Sequence, residues 1–226
     1  KTTGHGTQTF TQTVMNSCNP AFIEWGRRVG VDNFYTYIDK LGLTSKTGID
    51  IAGEAGTIIH KKENVGEVEL ATMSFGQSFQ ITPMQMLRAA AAIVNGGNLV
   101  TPHFAIKTCA ADKTTYSEFS YSTTQEAVSK ETSDTMKDIL RQVVEEGGGK
   151  NAYIEGFSIG GKTATSQKLP RGSGKYIASF IGFSDVTDPS VIAMCLIDEP
   201  QGVYYGGTIA APVIRELYDN ILPYMD

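Results

Sequence analysis

The chain has 226 residues, 41% of them apolar and 19% charged, with a formal net charge of −5. That composition can build a sizeable core and excludes a disordered chain, while the acidic balance argues against a nucleic-acid binder. No apolar run reaches the roughly 18 residues of a membrane span, and Cys18, Cys109 and Cys195 are too few and too scattered for a metal cluster or a disulfide framework.

The abrupt opening KTTGHGTQTF reads as a chain that begins inside a domain. Asn19-Pro20 reads as an N-cap with proline at the first helical position, followed by Phe22, Ile23 and Trp25. Phe34, Tyr37, Ile38 and Leu41 recur at helical spacing and stop at Gly42, which predicts a second helix. Residues 44–66 are glycine-rich and read as a long loop. Thr82-Pro83-Met84-Gln85 has the form of a capping box, and the alanine-rich run 84–94 ends at Gly96-Gly97. The Thr-, Ser- and Tyr-rich stretch 97–127 reads as irregular with short strands.

Val128, Met136, Ile139, Leu140, Val143 and Val144 include another apolar helical stripe, closed by glycines 147–149. The pattern then changes. Residues 157–166, 176–184 and 191–198 read as three strands, separated by gaps that fit antiparallel hairpins. A last amphipathic helix carries Ile209, Val213, Ile214, Leu217 and Ile221. His5, His60 and His103 have no paired partner in sequence and read as structural or surface residues; no metal site is expected.

The stretch GFSIGGKTATSQK, residues 156–168, admits two chemistries. Gly156 to Thr163 satisfies the phosphate-loop pattern G-x-x-x-x-G-K-[ST], and the apolar run ending at Asp198 imitates its magnesium-holding strand. A phosphate loop must open a helix, whose free amides bind the anion. Here only ATSQKL separates Thr163 from Pro170, Gly172 and Gly174, and the hairpin-length gaps do not fit the crossovers of a parallel sheet. The nucleotidase reading therefore fails on context.

The second chemistry is acyl transfer, in which Ser-x-x-Lys, Ser-x-Asn and Lys-Thr-Gly sequences occur together. Ser17-Cys18-Asn19 matches the second, and Lys162-Thr163-Ala164-Thr165 resembles the third. The segments VMNSCNPAFIEWGRRVGVDNFYTYIDKLG, TGIDIAGE, ELATMSFGQSFQITPMQMLRAAAAIVNGG, ASFIGFS and YYGGTIAAPV resemble class B penicillin-binding proteins, in the family's order and across essentially the whole chain. A literal Lys46-Thr47-Gly48 competes with Lys162, but it lies in a loop, whereas an extended peptide substrate needs an edge strand.

The resemblance implies an α/β fold of the α+β type, an antiparallel sheet flanked by helices as in penicillin-binding transpeptidases and serine β-lactamases, truncated at the N-terminus. Residues 1–226 would be the C-terminal part of one transpeptidase domain, with a helical part at about 9–150 and the sheet and last helix at about 151–226. The implied reaction is acyl transfer from D-alanyl-D-alanine stem peptides, which cross-links peptidoglycan and is trapped by β-lactams. It needs no cofactor and takes place on the extracytoplasmic face of the bacterial membrane.

By the same resemblance Ser17 passes protons to the leaving amine, and Asn19 holds the substrate amide. Lys162 serves both the carboxylate field and the proton relay. The hydroxyls of Thr163 and Thr165 meet the carboxylate, the Thr165 amide joins the oxyanion hole, and Gly161 lets substrate approach the strand. Ala164 replaces the family's usual glycine. No serine in the chain has lysine three positions later, so the nucleophile and general base are expected in an upstream half of the domain. Without that half, a non-catalytic binding or scaffold module stays open as a rival. Ser17 Oγ is expected near Lys162 Nζ, and the apolar strand 191–198 is expected to pair with the upstream half or with a second copy.

Overall fold

The computed structural model describes residues 4–225; residues 1–3 and 226, including the last residue of the expected sheet part, lie outside the described residues. Helix α1 (Phe10–Met15) is absent from the sequence reading. It is short, yet Thr9 and Gln12 cap it reciprocally. Helix α2 (Asn19–Lys40) covers both expected helices, and Gly30 at φ 74°, ψ 164° breaks it between them. Asn19 is not its N-cap. Cys18 holds that position without a side-chain bond, and Asn19 is the first helical residue.

The loop 44–66 carries a 3-10 turn, η1 (Lys62–Asn64), and leads into a second unexpected helix, α3 (Glu67–Ser74). There the Glu69 carboxylate accepts from the Gly66 amide at 2.9 Å. Helix α4 (Pro83–Val94) opens on the predicted Thr82/Gln85 box. Gln85 is fully buried and its amide is fully used: Oε1 accepts from Thr82 N, and Nε2 donates to Ser45 O and Thr57 Oγ1. This one side chain ties the long loop to α4.

Strands β1 (Leu99–Val100) and β4 (Thr123–Thr124) pair, as do β2 (Lys107–Cys109) and β3 (Tyr116–Glu118). Helix α5 (Lys130–Glu145), capped by Ser129, and the turn η2 (Lys150–Ala152) lead to the main sheet. Strands β5 (Ile159–Gln167), β6 (Tyr176–Ser184) and β7 (Val191–Asp198) form an antiparallel meander in that order. Two helices, α6 (Gly206–Ile209) and α7 (Ala211–Ile221), finish the fold.

The core lies where α5, η2 and α7 close on the sheet, around Val144, Ile159, Phe180, Ile214 and Tyr218. Full burial of such side chains stabilises by about 1.5–3 kcal/mol each. Tyr218 keeps its hydroxyl satisfied by donating to Gly182 O at 2.7 Å. A smaller cluster of Val14, Ile139 and Val143 fixes α1 on α5. That stacking brings the α1–α2 turn toward β5. Among the described residues no helix is long and apolar enough to cross a membrane.

Candidate active site beside strand β5

Strand β5 is at the sheet edge and pairs with β6 alone among the described residues. Lys162 and Thr163 are half-buried, and Ala164 and Thr165 are exposed. Opposite them, α1 ends in a Schellman arrangement: Cys18 N–H donates to Thr13 O at 3.0 Å and Ser17 N–H to Val14 O at 3.1 Å. Ser17 takes the position usually held by glycine, at φ 50°. A left-handed serine costs about 1 kcal/mol, and such outliers gather at functional sites.

Ser17 Oγ accepts from Lys162 Nζ at 3.0 Å, across 145 positions of sequence. The same ammonium donates to Thr163 O at 2.9 Å. No ion pair engages Lys162 among the described residues. Burial without a countercharge pushes its pKa down to about 8. A lysine in that range can give or take a proton near neutrality.

A cavity of about 530 Å³ opens beside this pair, lined by Ser17, Asn19, Thr163, Ala164 and Thr165 together with parts of η2 and α6. Because Asn19 is not spent on capping, its side chain is available to the cavity. Thr165 Oγ1 accepts from Gly206 N at 3.1 Å, which leaves its own proton to donate elsewhere. Gly206 has to be glycine. A Cβ there would lie 2.2 Å from Ser179 O and 2.3 Å from Ala164 O.

Gly161 has a different part from the one expected. It is buried, and a Cβ on it would meet Phe180 Cζ at 2.5 Å; on Gly160 it would meet Phe183 Cζ at 2.2 Å. The two glycines admit aromatic rings of β6 onto the strand. They do not open it to a ligand, and Gly161 is not part of the cavity wall.

Sequence reasoning missed Gly148, Lys150, Asn151, Gly207 and Thr208, all of which line the cavity. The glycines before Lys150 read only as a helix terminator. The signal was present in YYGGT, where Gly207 leaves no room for a side chain: a Cβ would lie 2.6 Å from Gly148 O. Gln77, in a family-like segment without an evident step, donates to Ser166 Oγ at 3.0 Å and so braces the far end of β5. Lys46-Thr47-Gly48 lies outside any strand and outside the cavity lining.

Residues 1–219 match the family described as penicillin binding protein transpeptidase domain. The chain is 42% identical over 97% of its length to stage V sporulation protein D of Bacillus subtilis, and 30% identical over 92% of its length to the probable peptidoglycan D,D-transpeptidase PenA of Neisseria meningitidis. It spans 35% of the length of each of these relatives. Among solved structures it resembles penicillin binding protein 3 of Mycobacterium tuberculosis complexed with aztreonam, with a TM-score of 0.87, 26% identity, and coverage of 96% of this chain and 51% of that one.

Proposed function

The chain belongs to the penicillin-binding protein transpeptidase family, class B, and from that premise we propose that it is the C-terminal part of a D,D-transpeptidase domain whose parent cross-links peptidoglycan. The observation that carries the reading is the 3.0 Å contact between Lys162 Nζ and Ser17 Oγ, the hydroxyl of a residue that lines the cavity beside β5. The substrate is a stem peptide ending in D-alanyl-D-alanine, and β-lactams take the same place. The enzyme acts at the extracytoplasmic face of the cell membrane.

In this reading a serine attacks the penultimate carbonyl carbon, the peptide bond breaks, and D-alanine leaves as an amine. Ser17 hands that amine its proton, with Lys162 at about pKa 8 restoring the proton through the hydroxyl. Asn19 hydrogen-bonds the substrate amide. The Thr165 amide joins the oxyanion hole, and the Thr163 and Thr165 hydroxyls meet the carboxylate. An amine of a neighbouring stem peptide then takes the acyl group and frees the serine. The 226 residues contain no Ser-x-x-Lys sequence, so the attacking serine and its lysine belong to another part of the domain. Strand β7, apolar and paired only with β6 among the described residues, is the edge along which that part or a second copy pairs.

Incubation with a fluorescent penicillin tests this by intact mass. The chain alone stays unmodified, and the longer polypeptide that carries it gains one covalent adduct. An adduct on the chain alone would show an overlooked nucleophile. No adduct on a longer polypeptide containing Ser-x-x-Lys would overturn the enzyme reading in favour of a non-catalytic binding module.

A further inference from the structure

The cavity beside β5 has one charged side chain in its lining, Lys150, and no carboxylate. Ser17, Asn19, Thr163, Thr165 and Thr208 add neutral hydrogen-bonding groups around it. A wall with one cation, many neutral donors and no anion suits a ligand that brings negative charge. Lys150 is exposed, and no ion pair engages it among the described residues.

Its base is fixed although its tip is free. Gly149 before it is packed so closely that a Cβ would lie 3.1 Å from Val143 O and 3.3 Å from Phe180 Cε2. Ala152 and Ile154 after it are buried in the core. Asn151 Nδ2 donates to Gly207 O at 2.7 Å and so fastens η2 to α6, the helix whose Gly206 amide also orients the Thr165 hydroxyl. Lys150 and Thr165 are therefore held by the same short helix. A cation on a rigid mount loses less on binding than one on a mobile loop.

Lys162 is occupied otherwise. Its ammonium is turned to Ser17 Oγ and Thr163 O, and it does not reach the cavity wall. A single lysine that must both shed a proton and hold a permanent charge against a carboxylate serves neither task well. Two lysines divide the work.

We propose that Lys150 is the cation that recognises the terminal carboxylate of the acyl-donor peptide, together with the Thr163 and Thr165 hydroxyls, and that Lys162 is left to proton transfer. The proposal rests on the transpeptidase reading. A charge-assisted contact in a partly enclosed cavity corresponds to about a tenfold preference for a free carboxylate over its amide.

The test is an NMR titration of the chain with a peptide ending in D-alanyl-D-alanine and with the same peptide as its C-terminal amide. The unsubstituted chain binds the acid about tenfold tighter than the amide. Lys150→Gln loses that preference while its affinity for the amide and its melting temperature stay unchanged, and Lys150→Arg keeps the preference. A Lys150→Gln variant that still prefers the acid overturns the proposal and leaves the transpeptidase reading standing. Failure of the unsubstituted chain to bind the acid overturns the proposal as well, whereas the transpeptidase reading stands or falls with the covalent adduct on the longer polypeptide.

Discussion

Two of the chain's Lys-Thr sequences stand in opposite surroundings, one closed around a carboxylate of its own and one beside a cavity that has none. At Lys46-Thr47-Gly48 the partner is internal: Thr47 N donates to Glu54 Oε1 at 2.8 Å and Gly48 N to Glu54 Oε2 at 3.3 Å. Thr47 is 3% exposed, so the turn is closed around its own anion. At Lys162-Thr163-Ala164 the strand borders a cavity of about 530 Å³, and the hydroxyls face a wall without carboxylates. The tripeptide spelling is nearly the same. Loop against edge strand decides whether the local donors stabilise the fold or serve a ligand.

The largest effect is expected from removing one lysine of each pair. Lys162→Met lowers acylation of the longer polypeptide by about a thousandfold, whereas Lys46→Met changes it less than twofold; gel fluorescence time courses measure both. Comparable losses in the two variants would erase the distinction. Ser17→Gly comes next. It removes the relay hydroxyl and lowers acylation about a hundredfold, while relief of the left-handed backbone raises stability by about 0.5–1 kcal/mol in urea unfolding. A destabilised glycine variant would mean that the hydroxyl holds α1 against β5 more strongly than the backbone resists.

A pH dependence of folding sharpens the contrast further. The pKa of Lys162 in the fold, about 8, lies below the ordinary lysine value of 10.5. The unfolded chain binds the extra proton between those values, so stability rises as pH climbs from about 8 toward 10.5, by on the order of 2 kcal/mol after allowing for partial exposure. Urea titrations of the parent chain and of Lys162→Met check this, since the variant should lose the slope. Glu54 gives a slope of the same sign in an acid window, because there the fold favours the charged form, whereas at Lys162 it disfavours it. Burial pushes its carboxyl up, but the amides of Thr47 and Gly48, the Thr47 hydroxyl and the charge of Lys46 overcome that and lower it. Its stabilisation is present above the ordinary value of 4.5 and is lost as pH falls through the lower folded value. Glu54→Gln should cost about 1–2 kcal/mol at pH 7 and leave acylation unchanged.

What was legible in the sequence was what neighbouring residues determine. The Thr82/Gln85 box, the break before Gly42 and the three strands in meander order all follow from local pattern. Helices α1 and α3 escaped because they are short, and their caps at Thr9 and Gly66 do not precede a clear apolar stripe. Asn19 looked like a cap because its neighbour is proline; the Schellman closure of α1, which depends on residues 13 and 14, moves the cap to Cys18. At the site, the resemblance located Ser17 and Lys162. Lys150, Asn151 and Thr208 became visible only when η2 and α6 packed together, an encounter set by Asn151 and Gly207 across 56 positions.

The fully buried Tyr218, donating to Gly182 O from the last long helix, imposes an order of events on biosynthesis. Every residue of the cavity wall has been polymerised by Thr208, yet the core behind the sheet still lacks Ile214, Tyr218 and Leu222. A chain emerging from the ribosome therefore carries all its cavity residues before it can hold them in place. A stop codon just past Thr208 would leave each of those residues translated and the product unable to set them against one another.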